Sequence, residues 1–135
     1  MLLALTYGDE KCENEGVKKM LRVIIAGSRM FSDYEKMKRL VVSFVDGNDI
    51  EVVSGGCRGA DKFGELLAKE MNWSVKRFPA DWKAYGKAAG CIRNKHMAEY
   101  ADICLLFPVE GAENKGTKNM MREAVKAKCK TYVAR

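Results

Sequence analysis

No apolar run in this 135-residue sequence approaches the ~18 residues of a membrane-spanning helix, so no membrane partner is signalled. Histidine is equally scarce, and the single one, His96, lies between Lys95 and Glu99 on the expected outer face of a helix. Without a second histidine there is no histidine-built metal site, and neither Ser28 nor Ser54 has the partner a serine-hydrolase triad needs. The cysteines, Cys12, Cys57, Cys91, Cys104 and Cys129, are odd in number and never two to four residues apart, which argues against a zinc site and a disulfide framework. No metal and no cofactor is expected. Cysteines within regular elements read as small buried apolar side chains, leaving Cys57, in a glycine-rich loop, as the candidate for functional exposure. Repeats and low-complexity segments are also absent. The opening MLLALTY has no basic flank and soon meets Asp9 and Glu10, so it does not read as a signal peptide, and a cytoplasmic location is expected.

What is present is ordinary globular composition, 47% hydrophobic and 31% charged, in a chain long enough to bury roughly two-thirds of its unfolded surface. The net charge of +6 is unevenly placed, because residues 115–135 carry seven basic side chains against Glu123 alone. Lys118, Arg122 and Lys126 repeat every four residues and make one helical stripe. A short stripe of this kind reads as the solvated face of an amphipathic helix ahead of a surface for phosphate-rich partners.

Residues 1–20 hold the polar cluster GDEKCENEG and read as an extension with a short apolar strand at its start, and residues 21–135 as the domain. LRVIIAG is a continuous β-branched run ended by glycine, the pattern of a strand buried on both faces. Ser32 and Glu35 make a capping-box pair before a helix carrying Met37, Leu40, Val41 and Phe44. IEVVS predicts a second strand, followed by a helix with Phe63, Leu66, Leu67 and Met71 on its core side, and WSVKRFP predicts a third. After the connection ADWKAYGK come a helix over AAGCIRNKHMAEYA and a fourth strand, DICLLFP. Thr117 is placed to cap a last helix with Met121, Ala124 and Val125 inward, and KTYVA closes as a fifth strand. Five strands alternating with four helices predict an α/β fold, a parallel sheet with helices on both faces.

Ligands of such sheets bind beyond the carboxyl ends of the strands, and the glycines gather there. Gly27, Ser28 and Arg29 follow the first strand, Gly55, Gly56, Arg58 and Gly59 the second, and Gly111, Lys115, Gly116 and Thr117 the fourth. Glycine turns allow close backbone approach, and the helix behind each offers unpaired N–H groups to an anion, so phosphate is the expected guest. SGGCRGAD lacks the Gly-Lys-Ser/Thr ending of a P-loop and the spacing of a dinucleotide fingerprint. Arg29 suits a phosphate, while Arg58 suits either a phosphate or local pairing with Asp61, which itself favours the dipole of its helix. Trp82 and Tyr85 either stack on a base or cover the sheet edge. Asn94, in a helix beside core positions, needs a polar partner.

Together VIIAGSRMFSDYE, VVSGGCRGADKFGE, FPADW, GKAAGCIRNKHMAEYAD, LLF and KGTKNM resemble the YspA, or cpYpsA-related, family of the SLOG superfamily over about residues 21–134. The resemblance implies a Rossmann-like three-layer sandwich of strand order 3-2-1-4-5 and a site for a nucleotide-derived ligand, with Asp81 and Trp82 of FPADW beside the glycine loops. Among relatives, the cytokinin-activating phosphoribohydrolases cleave the N-glycosidic bond of a nucleoside 5′-monophosphate. Arg93, Asn94 and Met97 resemble their Arg-Lys pair before a methionine, and Pro108, Gly116 and Thr117 their glycine loop. Asn94 replaces the lysine, and Met120 stands where those enzymes have the glutamate that stabilises the oxocarbenium charge. Hydrolysis would need Arg93 with a substitute carboxylate, Asp61 or Glu65 beside the second glycine loop before Asp81, Glu110 or Glu113. DNA-processing protein A, which binds single-stranded DNA, carries a stretch resembling VSGGCRGAD. The expected partner is therefore a nucleotide-like small molecule, ranked ahead of N-glycosidic hydrolysis and of nucleic-acid binding, and a homo-oligomer stays open.

Overall fold

The computed structural model describes residues 2–6, 20–45 and 47–134. Six strands form one sheet: β1 (Leu2–Thr6), β2 (Met20–Gly27), β3 (Asp49–Ser54), β4 (Ser74–Arg77), β5 (Ile103–Phe107) and β6 (Lys130–Ala134). Their spatial order is β1-β6-β5-β2-β3-β4. The last five strands in chain order are parallel, in the expected order 3-2-1-4-5, and the apolar start of the chain adds β1 antiparallel to β6. Because the chain leaves β2 for β3 on one side and later returns to β5 on the other, the strand order reverses at the carboxyl end of β2. A crevice opens at such a point.

Helices α1 (Tyr34–Phe44) and α2 (Ala60–Met71) cover one face of the sheet, and α4 (Ala89–Tyr100) and α5 (Lys115–Lys126) cover the other. Val23, Ile25, Val52, Leu105 and Phe107 meet Met37, Val41 and Leu67 on the first face. Ile24, Ala26, Val53, Cys104 and Leu106 meet Met97, Met120 and Ala124 on the second. All five residues of β5 are buried, which is why ICLLF shows no alternation. Each buried Val, Leu, Ile, Phe or Met side chain among them contributes about 1.5–3 kcal/mol by leaving water.

Several local expectations are corrected. Asp33, not Ser32, caps α1, its carboxylate accepting from the Lys36 N–H at 3.1 Å. Helix α5 begins two residues before Thr117, after Asn114, and turns Thr117, Met120 and Ala124 inward. That rotation leaves Val125 exposed, as Leu66 is on α2. ADWKAYGK is not a plain connection, since Asp81 caps the short helix α3 (Trp82–Tyr85) and a 3-10 turn spans Gly86–Ala88. Cys104 and Cys129 are buried as expected, whereas Cys91 is exposed. Among the described residues no helix is long and apolar enough to cross a membrane.

Candidate functional site

The loop after β2 is fixed from two sides. Ser28 donates its N–H to Phe107 O at 3.1 Å, and its hydroxyl accepts from the Met30 N–H at 3.0 Å. Phe31 then folds the loop back onto the core, its ring 5.3 Å from that of Phe107 and 6.3 Å from that of Phe63. Two glycines let the backbones approach. A Cβ on Gly27 would stand 2.2 Å from Phe107 O, and one on Gly59, at φ +79°, 2.3 Å from Ser28 O. Arg29 is thereby held at the rim of a cleft.

That cleft, of about 460 Å³, occupies the crevice beyond β2. The loop after β2 brings Gly27, Ser28 and Arg29 to it, α2 and its loop bring Arg58 and Asp61, and α4 brings Arg93 and Asn94. Lys115, Gly116 and Thr117 close it from α5, and Ala26, Met97 and Met120 give it apolar surface. Gly55, Gly56 and Trp82 lie instead on a neighbouring cleft of about 420 Å³, and Arg93 and Cys57 border both. Gly59, Glu65 and Asp81 line neither, Gly59 being the packing point under Ser28 and Asp81 the cap of α3.

Two of the helix N-termini at this edge, those of α2 and α5, differ in a way the glycine pattern did not reveal. At α2 no side chain caps the first turn, but its first amide is taken within the protein and a carboxylate lies beside it. Ala60 N–H donates to Ser28 O at 3.1 Å, and the Asp61 carboxylate turns back to the N–H of Cys57 at 3.3 Å and to the Gly55 backbone. Burial pushes the Asp61 carboxyl up to about 6, outweighing the opposing pull of the Cys57 N–H and the Arg93 charge. Arg58 is exposed, and neither it nor Arg29 makes an ion pair among the described residues.

At α5 no side chain among the described residues caps the helix. The Asn114 side chain donates to Val109 O and Ala112 O at 3.1 and 3.2 Å instead of accepting from the first turn. First-turn amides have no partner within their own helix, so an uncapped start leaves them for water or a ligand. The Thr117 hydroxyl, on a residue 9% exposed, has no hydrogen-bond partner among the described residues, nor has Asn114 Oδ1. An unmatched buried hydroxyl costs about 1–3 kcal/mol, and both residues line the cleft.

Arg93 is pre-positioned. Its guanidinium donates to Gly55 O at 2.7 Å and to Asn94 Oδ1 at 3.0 Å, while the Asn94 amide donates to Asn119 Oδ1 at 2.8 Å. Asn119 lies in the KGTKNM motif, but only the fold reveals it as the partner that buried Asn94 requires.

Glu65, a candidate carboxylate in sequence, is engaged within the fold. It accepts from Ser54 Oγ at 2.7 Å and from Arg77 at 2.8 Å, and Ser54 Oγ in turn accepts from the Gly56 N–H at 3.0 Å. Burial raises its carboxyl, but the Arg77 and Ser54 hydrogen bonds with the nearby Lys62 and Arg77 charges outweigh this and hold it below the ordinary value. A carboxylate so engaged braces the glycine loop against β4.

The comparisons with known proteins follow this geometry. The model of the YspA, cpYpsA-related SLOG family matches residues 21–85, from β2 through α3. The "Gene 61 protein" of Mycobacterium phage D29 is 37% identical over 116 residues, covering 80% of this chain and 91% of that protein. No solved structure matches the chain. The glycine loops after β2 and β3 that shape the cleft fall within the matched segment, and the chain belongs to the YspA, cpYpsA-related SLOG family.

Proposed function

We propose that the cleft at the carboxyl edge of the sheet binds the phosphate of a nucleotide-type small ligand, at the N-terminus of α5. Membership of the SLOG family suggests a nucleotide-related binding or processing role. The observation that carries the finer reading is the uncapped start of α5, with the buried and unpartnered Thr117 hydroxyl on the cleft and Arg29, Arg58 and Arg93 around it. Amides and a hydroxyl donate to phosphate oxygens, and guanidinium groups add paired, charge-assisted bonds. Ala26, Met97 and Met120 supply apolar contact for the uncharged part of the ligand.

Binding ranks ahead of hydrolysis because the cleft presents Met120, 2% exposed, where the related phosphoribohydrolases carry their glutamate. A thioether gives van der Waals contact and no charge for an oxocarbenium ion. One observation favours cleavage as the second reading, namely that Asp61 lies in the same cleft as Arg93 with its carboxyl raised to about 6, near the pH at which a general acid works. The readings separate when the protein is titrated with AMP by calorimetry and the mixture then assayed for adenine and ribose 5-phosphate. Saturable binding without release of base is the expected result. Sustained release of adenine that Asp61→Asn abolishes would overturn the ranking, and no AMP binding would overturn the reading itself.

A further inference from the structure

The second cleft, of about 420 Å³, shares the Arg93 and Cys57 wall with the first. Its composition is different. Besides Arg93 its cations are Lys62 and Arg77, and both already pair with Glu65, at 3.8 and 2.8 Å. It is also lined by Pro79, Ala80 and Trp82, a residue 57% exposed. The start of α4 runs against that ring, since a Cβ on Gly90 would lie 3.7 Å from it and 3.9 Å from Arg93 Nη2. An aromatic wall, paired cations and one guanidinium fixed at the junction suit a planar uncharged group tethered to an anion.

Size points the same way. Small-molecule sites span roughly 300–1,000 Å³, so each cleft has room for one nucleoside-sized group and a mononucleotide in the first leaves the second empty. We propose that the ligand is two-headed, two nucleosides joined through phosphate, with the phosphates between Arg93 and the start of α5, one nucleoside in the first cleft and the base of the other stacked on Trp82. This inference rests on the reading of the first cleft as a phosphate site. It gives Glu65 a second consequence, because pairing Lys62 and Arg77 keeps the outer cleft suited to a base instead of a second phosphate.

The test titrates the full-length protein by calorimetry with AMP, with a 5′–5′ pyrophosphate-linked adenine dinucleotide and with a 3′–5′-linked one. Stacking of one base on an aromatic side chain is expected to make one of the dinucleotides bind about tenfold or more tighter than AMP. Trp82→Ala, at an exposed position, should abolish that advantage and leave AMP affinity unchanged, whereas Thr117→Val should weaken both ligands. Equal affinity of AMP and both dinucleotides, with AMP still sensitive to Thr117→Val, overturns the two-headed ligand alone. So does a Trp82→Ala variant that keeps the advantage. Failure of every ligand to bind overturns the phosphate reading together with this one.

Discussion

Replacing Thr117 by valine should move stability and affinity in opposite directions. The two side chains have nearly the same shape, so the exchange removes one hydroxyl and leaves the packing of α5 in place. In the free protein that hydroxyl is buried and unmatched, a state costing about 1–3 kcal/mol. Taking about 1 kcal/mol of this as recovered, a domain of this size should melt about 3–5 °C higher. With phosphate bound, the same hydroxyl makes a hydrogen bond to a charged acceptor, about 1.5–3 kcal/mol, so AMP affinity should fall roughly 10- to 150-fold. Circular-dichroism melts without ligand and calorimetric titration with AMP read the two signs separately, and Thr117→Ser, which keeps the hydroxyl, should retain most of the affinity. A valine variant that melts lower and binds AMP as tightly as the parent would refute the reasoning, since the hydroxyl would then be structural.

Two further outcomes follow from the site. The Asp61 carboxyl, near 3.8 when unfolded and about 6 when folded, keeps a proton in the native state that the unfolded chain releases, so its contribution to stability declines as pH rises from about 4 to about 6. A shift of this size corresponds to a cost on the order of 3 kcal/mol near neutral pH. Asp61→Asn should therefore melt progressively higher than the parent as pH rises through that window, and parallel melting curves at all pH values would contradict the burial argument. Gly59→Ala must place a Cβ 2.3 Å from Ser28 O at φ +79°, and should lower stability by more than about 2 kcal/mol in urea titration. A parental midpoint would mean that the loops after β2 and β3 do not touch as described.

Much of this was legible before any coordinates, and for definite reasons. Short apolar runs such as VIIAG and ICLLF, bounded by glycine or proline, fit strands covered on both sides, so the parallel sheet and the strand-end glycine loops followed from them. Element ends were harder to read, because Ser32 and Asp33 are equally good caps in sequence and only the backbone turn chooses Asp33. On α5 the apolar pattern tolerates two rotations, and contact with β5 and β6 selects the one that buries Met120 instead of Val125.

The site divided along the same line. Residue types suited to phosphate were visible, but not which helix start is free to use them. That depends on Ser28 O taking the first amide of α2, with the Asp61 carboxylate beside it, and on Asn114 turning away from α5. Long-range partners such as Asn119 for Asn94 and Arg77 for Glu65 leave no trace in local pattern. Glu65 thus reads as a substitute carboxylate in sequence, and its hydrogen bonds to Ser54 and Arg77 become visible only in the fold.

The most direct measurement is a crystal structure of the protein soaked with AMP. The account predicts the phosphate at the start of α5, with an oxygen within hydrogen-bond distance of Thr117 Oγ1 and of a first-turn amide, and a guanidinium from the rim on its outer side. A phosphate bound at the start of α2, or bound elsewhere while the Thr117 hydroxyl stays unpartnered, would contradict it.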